Sequence, residues 1–219
     1  MKITALETQK RDSSRLNMYI DENFFCGISL NVVAKFGIYK GKELSDNELN
    51  EILNAELRER FFDRAVSFLV RSPKTEFQVR RYLRDLAFKK KGKWFKEISK
   101  EDISAIEDFV IKKLLEYEYL NDEKYAQLFV EDRIKNKPRG KNILYGELIS
   151  KGVSKDIVEK VLGEMLGDEY AILVSTYKKR FKDESISFED RKKIDFLRRK
   201  GFSWDLIEKF INDESSKQE

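Results

Sequence analysis

One stretch of this chain is written twice. Leu148, Lys151, Gly152, Val153, Ser154, Asp156, Ile157, Val158, Glu159, Lys160, Val161 and Leu162 align without gaps on Leu197, Lys200, Gly201, Phe202, Ser203, Asp205, Leu206, Ile207, Glu208, Lys209, Phe210 and Ile211, at a constant offset of 49 residues. A fixed period of this length marks a supersecondary unit that buries its apolar face by stacking on its neighbours. The unit reads as a helix–turn–helix joint. A helix ends at Lys151 or Lys200, where a cation suits the negative end of the helix dipole. Gly152 or Gly201 supplies a left-handed cap, Val153 or Phe202 packs behind it, and Ser154 or Ser203 caps the next helix.

A helix precedes each joint. Tyr125, Ala126, Phe129 and Val130 lead the first, and Tyr170, Ala171, Val174, Tyr177 and Phe181 lead the second. Arg64, Ala65, Phe68 and Leu69 match the same position in an earlier copy, whose joint carries an insertion from Phe88 to Ile98. The expected fold is mainly α: tandem three-helix repeats in an elongated curved array, with a small β-rich N-terminal module. The expected divisions are a module over 1–44, a linking helix over 45–60, repeats over 61–120, 121–167 and 168–213, and a polar tail over 214–219.

With 10 Gly and 2 Pro in 219 residues, the chain is short of the turn residues that an all-β fold needs. Within residues 1–44, alternation around the polar run Gln9 to Ser14 predicts a hairpin, with a short third strand at Phe24 to Cys26 and a helix from Ser29 to Phe36 stopped by Gly37. Ser45 and Glu48 have capping-box spacing. Pro73 ends one helix, and Thr75 caps a helix running to about Leu86. A helix from Asp102 turns Ile103, Ile106, Val110, Leu114 and Tyr117 inward.

Charge is unevenly spread. Residues 74–100 hold ten Lys and Arg against three acids, 133–151 six against one, and 178–200 ten against five, whereas 101–125 hold three against eight. Basic runs that recur at matching places in stacked copies suit an extended anionic partner. The candidate contact residues are Arg80, Arg81, Arg84, Lys89, Lys90, Lys91, Lys93, Trp94, Lys137, Arg139, Lys141, Arg198, Arg199 and Lys200. Trp94 and Phe95 among lysines suit base stacking beside phosphate contact, or else anchor their loop to the core. Each run also reads as an ordinary solvated helix face.

Much chemistry is absent. There is no histidine, and Cys26 is the single cysteine, set in the apolar run Phe24, Phe25, Cys26. A His-based triad, an HExxH zinc site and an internal disulfide are therefore excluded, and Cys26 reads as packing. There is no P-loop and no GxGxxG, and no acid pair has catalytic spacing. No catalytic residue, metal or cofactor is expected. No apolar run reaches the roughly 18 residues of a membrane span and the N-terminus lacks a signal-peptide core, so a cytoplasmic monomer off the membrane is expected.

Three stretches carry a family resemblance. Arg71-Ser72-Pro73-Lys74-Thr75-Glu76-Phe77, followed by Arg80, Arg81, Tyr82 and Leu83, is the first; Tyr119-Leu120-Asn121-Asp122-Glu123-Lys124-Tyr125-Ala126 is the second; Gly146-Glu147-Leu148-Ile149-Ser150-Lys151-Gly152-Val153, echoed by Phe196 to Ser203, is the third. In order and spacing they resemble the RecX family of bacterial recombination regulators. The chain departs from the family pattern at Glu118, where a glycine is usual, and at Pro138-Arg139-Gly140, where Gly-Pro is common. The resemblance implies a fold of three tandem three-helix repeats. It also implies binding to the RecA recombinase and its filament on DNA, with modulation, in the inhibitory direction, of recombination, ATPase and co-protease activities, and no catalytic residue. The alternatives are a helical protein that binds single- or double-stranded DNA without sequence preference, and a helical scaffold for another protein.

Overall fold

The computed structural model describes residues 1–10, 12–92, 94, 99–182 and 184–216. Among these are three strands and ten helices: β1 Ile3–Gln9, β2 Asp12–Ile20, β3 Asn23–Ser29, α1 Leu30–Phe36, α2 Asp46–Leu69, α3 Glu76–Lys90, α4 Lys100–Glu116, α5 Asp122–Asn136, α6 Lys141–Ser150, α7 Lys155–Met165, α8 Glu169–Phe181, α9 Arg191–Arg199 and α10 Trp204–Ser215. The chain divides into two compact units, Met1–Ser72 with Arg80–Tyr119, and Pro73–Val79 with Leu120–Glu219.

In the first unit, β1, β2 and β3 form an antiparallel meander. The expected hairpin is present, and the third strand is longer than Phe24 to Cys26. Asp21 and Glu22, with φ of 48° and 69°, form the two-residue turn from β2 to β3, and positive φ at both positions gives the turn the right-handed twist of the flanking strands. Ile3, Met18, Ile20, Ile28, Val32, Ile38 and Leu44 make one core with Leu49 and Ile52 of α2. The sheet's apolar face needs a cover to be buried, and the first turns of α2 supply it and close this core. The capping box at Ser45 and Glu48 is formed. No break occurs at residue 60: the linking helix and the first helix of the first repeat are one helix of 24 residues.

Glu56 of α2 is 3 % exposed. It pairs with Arg15 of β2 and with Arg60 at 2.7 Å, and it accepts the Ser29 backbone N–H at 2.8 Å. Arg60 also donates to the Gly27 carbonyl at 2.6 Å. A carboxylate out of water needs this many donors, and the group ties the sheet to α2. Helix α3 runs four residues past Leu86, and α4 begins two residues before Asp102, capped by Ser99. Val110 and Leu114 face the core as expected, whereas Tyr117 is 56 % exposed because it is the C-cap of α4, where the helical period ends.

The second unit holds two helix triplets, each with its own core. Ala126, Val130, Leu144, Leu148, Val153, Val158, Val161 and Leu162 form that of α5, α6 and α7. Leu173, Tyr177, Ile194, Leu197, Phe202, Ile207, Phe210 and Ile211 form that of α8, α9 and α10. Helices of nine to fifteen residues are marginal alone, so burial of the stripe holds them.

Both written joints fold alike. Gly152 at φ 85° and Gly201 at φ 93° donate to the Ile149 and Arg198 carbonyls, and the next residues, Val153 and Phe202, donate to Leu148 and Leu197. This is the Schellman arrangement. Ser203 accepts from the Leu206 N–H as expected, but Ser154 makes no side-chain capping bond.

Candidate anion-binding groove

Within the second unit, each repeated joint also receives the start of an earlier helix. The Thr75 hydroxyl, at the start of α3, donates to the Lys151 carbonyl at 2.6 Å. The Gly140 N–H, at the start of α6, donates to the Lys200 carbonyl at 2.8 Å. The first amide of each of those helices then finds the first carboxylate of the next triplet: Glu76 N–H to Asp122 at 2.8 Å, and Lys141 N–H to Glu169 at 2.8 Å. Two hydrogen bonds are thus reproduced at successive junctions, where free helix amides would otherwise be left unpaired. A Cβ at Gly152 would overlap the Phe77 side chain, and one at Gly140 would overlap the backbone of Gly201. Pro138-Arg139-Gly140 therefore places glycine at the point of closest backbone approach.

The second of these junctions shapes a groove of about 310 Å³. Its lining comes from the end of α5 and the following turn (Asn136, Lys137, Pro138, Arg139), from α8 (Thr176, Lys179, Arg180), and from α9 and its cap (Phe196, Lys200). Five of these nine side chains are cationic and none is acidic. Lys137 is the C-cap of α5, Lys179 and Arg180 sit in the last turn of α8, and Lys200 is the C-cap of α9. Three helix C-termini therefore meet the cations. Each such end carries about half a negative charge, so together they offset about one and a half of five positive charges, and the groove stays strongly positive. The Lys200 ammonium is held below the ordinary lysine pKa, first by burial and then by the Arg139 and Lys179 charges.

One of the lining residues also carries an unsatisfied polar atom, buried beneath the groove surface. Thr176 is 6 % exposed, and its Oγ1 is the one buried side-chain oxygen or nitrogen among the described residues without a hydrogen-bond partner. A threonine within a helix commonly bonds the carbonyl one turn back, and Thr176 does not.

The sequence-predicted contact residues separate accordingly. Lys137, Arg139 and Lys200 come together in the groove, while Lys141, Arg198 and Arg199 are exposed outside its lining. Lys179, Arg180 and Thr176 were not singled out from the sequence. The triplet Lys178-Lys179-Arg180 at the end of an apolar stripe carries the signal for the two cations, and the hydroxyl has none.

In the first unit the picture is less favourable to a binding surface. Arg80 pairs with Asp108 at 2.8 Å, and Arg84 pairs with the buried Glu107 at 3.0 Å. Arg81, Lys89 and Lys91 are exposed. Trp94 is half-buried, edge-on to the buried Phe61 at 5.7 Å, with Arg60 and Lys90 over its ring at 5.8 and 5.4 Å. It anchors to the core rather than standing free for stacking. Lys93, Phe95, Lys96 and the end of the insertion lie outside the described residues.

No group of three or more metal-ligating side chains occurs among the described residues, and none of their helices is long and apolar enough to cross a membrane. The profile for the regulatory protein RecX N-terminal domain matches residues 1–45, and that for the second three-helix domain of RecX matches 121–162. Regulatory protein RecX of Bacillus velezensis is 31 % identical over 209 residues, covering 94 % of this chain and 74 % of the relative. That of Bacillus subtilis is 30 % identical over 227 residues, covering 99 % and 81 %. A crystal structure of a regulatory protein RecX superposes with a TM-score of 0.74 at 23 % identity, over 97 % of this chain and 99 % of the other, and that of Lactobacillus salivarius RecX with 0.57 over 74 % and 98 %. These relatives extend along nearly the whole chain, from the sheet through the repeated joints, and the chain belongs to the RecX family of regulatory proteins.

Proposed function

We propose that this chain regulates the RecA recombinase, binding RecA and its filament on single-stranded DNA and lowering its strand-exchange, ATPase and co-protease activities. Membership of a regulatory family supports the class of function. The observation that carries the filament reading is the groove of five cations with no acidic lining. A nucleoprotein filament presents protein and regularly spaced phosphates together, and stacked repeats with cations at a junction match that combination. The role needs neither cofactor nor catalytic group.

The test is a titration of the single-stranded-DNA-dependent ATPase of RecA. Near-stoichiometric protein is expected to slow ATP hydrolysis, and an unchanged rate at several-fold excess rejects the reading. Capture of RecA without DNA separates it from the general DNA-binding alternative, which requires salt-sensitive DNA binding and no RecA dependence.

A further inference from the structure

The groove is more specific than a basic surface. A patch that only raises local potential needs no buried polar atom, and an orphaned hydroxyl is costly because its lost hydration is not repaid. Thr176 holds such a hydroxyl in α8, on a residue that lines the place where Lys137, Arg139, Lys179, Arg180 and Lys200 meet. The missing partner is an acceptor or donor, and the surroundings demand an anion. The cations differ in kind: two guanidiniums offer planar forks suited to paired phosphate oxygens, and three ammoniums offer point charges. Their long side chains have the rotatable bonds to part around an incoming group. Beside them, Pro138 and Phe196 supply an apolar wall of the kind a sugar edge can rest on.

We infer that this groove is a seat for one backbone phosphate of a nucleic-acid strand, with the Thr176 hydroxyl donating to a phosphate oxygen and Arg139, Arg180 and Lys200 neutralising it. It rests on the filament reading for its biological setting, yet it is measured without RecA, so the two fail separately.

Thr176→Val removes the hydroxyl and keeps the shape and charge. If the hydroxyl has no partner in the free protein, this variant unfolds at the same or a higher temperature than the parent. It nevertheless binds a short single-stranded oligonucleotide lacking terminal phosphates about tenfold more weakly, a loss in keeping with one hydrogen bond to a charged group. Thr176→Ser restores binding. The slope of log K against log salt stays the same in Thr176→Val, because no cation is lost, and falls by about 0.7 in Lys179→Gln. Anisotropy titrations over a common series of salt concentrations read the affinities and the slopes, and thermal melts read the unfolding temperature. Binding by Thr176→Val within twofold of the parent overturns the seat, as does a serine variant that fails to restore it. Inorganic phosphate is the second probe. If it protects the protein thermally at millimolar concentration while the oligonucleotide neither binds at the groove nor competes, the strand is overturned as the source of the phosphate.

Discussion

At the scale of single residues, side-chain chemistry decides more than position in the repeat. Burial pushes the Cys26 thiol up to about 11, so the thiolate is scarce at pH 8, and iodoacetamide is expected to leave it unmodified in the folded protein and to label it in urea. Glu56 is a buried carboxylate partnered by Arg15, Arg60 and the Ser29 amide. Glu56→Ala strands two partly buried guanidiniums and an amide, and is expected to lower stability by about 3 kcal/mol in urea unfolding. Arg84 shows why a count of cations misleads. It serves the buried Glu107, so Arg84→Glu sets a second carboxylate beside the first. Lost DNA binding in that variant is expected to accompany a lowered unfolding temperature, whereas reversal at Arg81, which is exposed, leaves that temperature unchanged.

Among the elements, the caps carry the fold's punctuation. Glu118 stands where the family usually has glycine, and its φ is 57°. It donates to Leu115 and Tyr119 donates to Leu114, the same Schellman pattern as at Gly152 and Gly201, with a Cβ in the left-handed region. Glu118→Gly is expected to raise stability by about 1 kcal/mol, read as a shift in the unfolding midpoint; a fall would show that the side chain has a compensating role. The junction carboxylate Asp122 makes a pH-dependent counterpart. Burial lifts its pKa, with the Glu76 N–H working against that rise. The folded state therefore keeps this proton to higher pH than the unfolded chain. Stability from this group is greatest below the ordinary carboxylate range near 4 and declines as pH rises through the elevated folded value. Asp122→Asn retains an acceptor for Glu76 and removes the desolvated charge, so it is expected to match or exceed the parent in thermal stability at pH 7 with a flatter profile across that window.

For the whole molecule, the prediction concerns where the proposed regulation of RecA would reside. If the cationic junction is the contact, the Lys179→Glu/Arg180→Glu double variant keeps its helical circular-dichroism signal and needs an at least tenfold higher concentration to slow the RecA ATPase. Retained potency in a folded double variant would move the contact to another surface.

The repeat, the helical class, the N-terminal hairpin and most caps were legible because they are local. A glycine after a cation, a serine before an apolar run and a 3.6-residue stripe act over a few residues, and the 49-residue offset shows the same solution used twice. One boundary differs for a reason that is itself tertiary. No break falls at residue 60, because the N-terminal sheet needs Leu49 and Ile52 of α2 to close its core, and of the two readings of Trp94 the anchoring one fits its packing on Phe61. What the sequence by itself determined is the unit and its joints, through backbone preferences and apolar period. What only the tertiary structure decided is which cations meet. Lys137, Arg139, Lys179, Arg180 and Lys200 span 64 positions of sequence, and no periodicity links them. They converge because the Gly140 amide bonds the Lys200 carbonyl, a contact that exists only once both triplets have folded and glycine lets the two backbones touch.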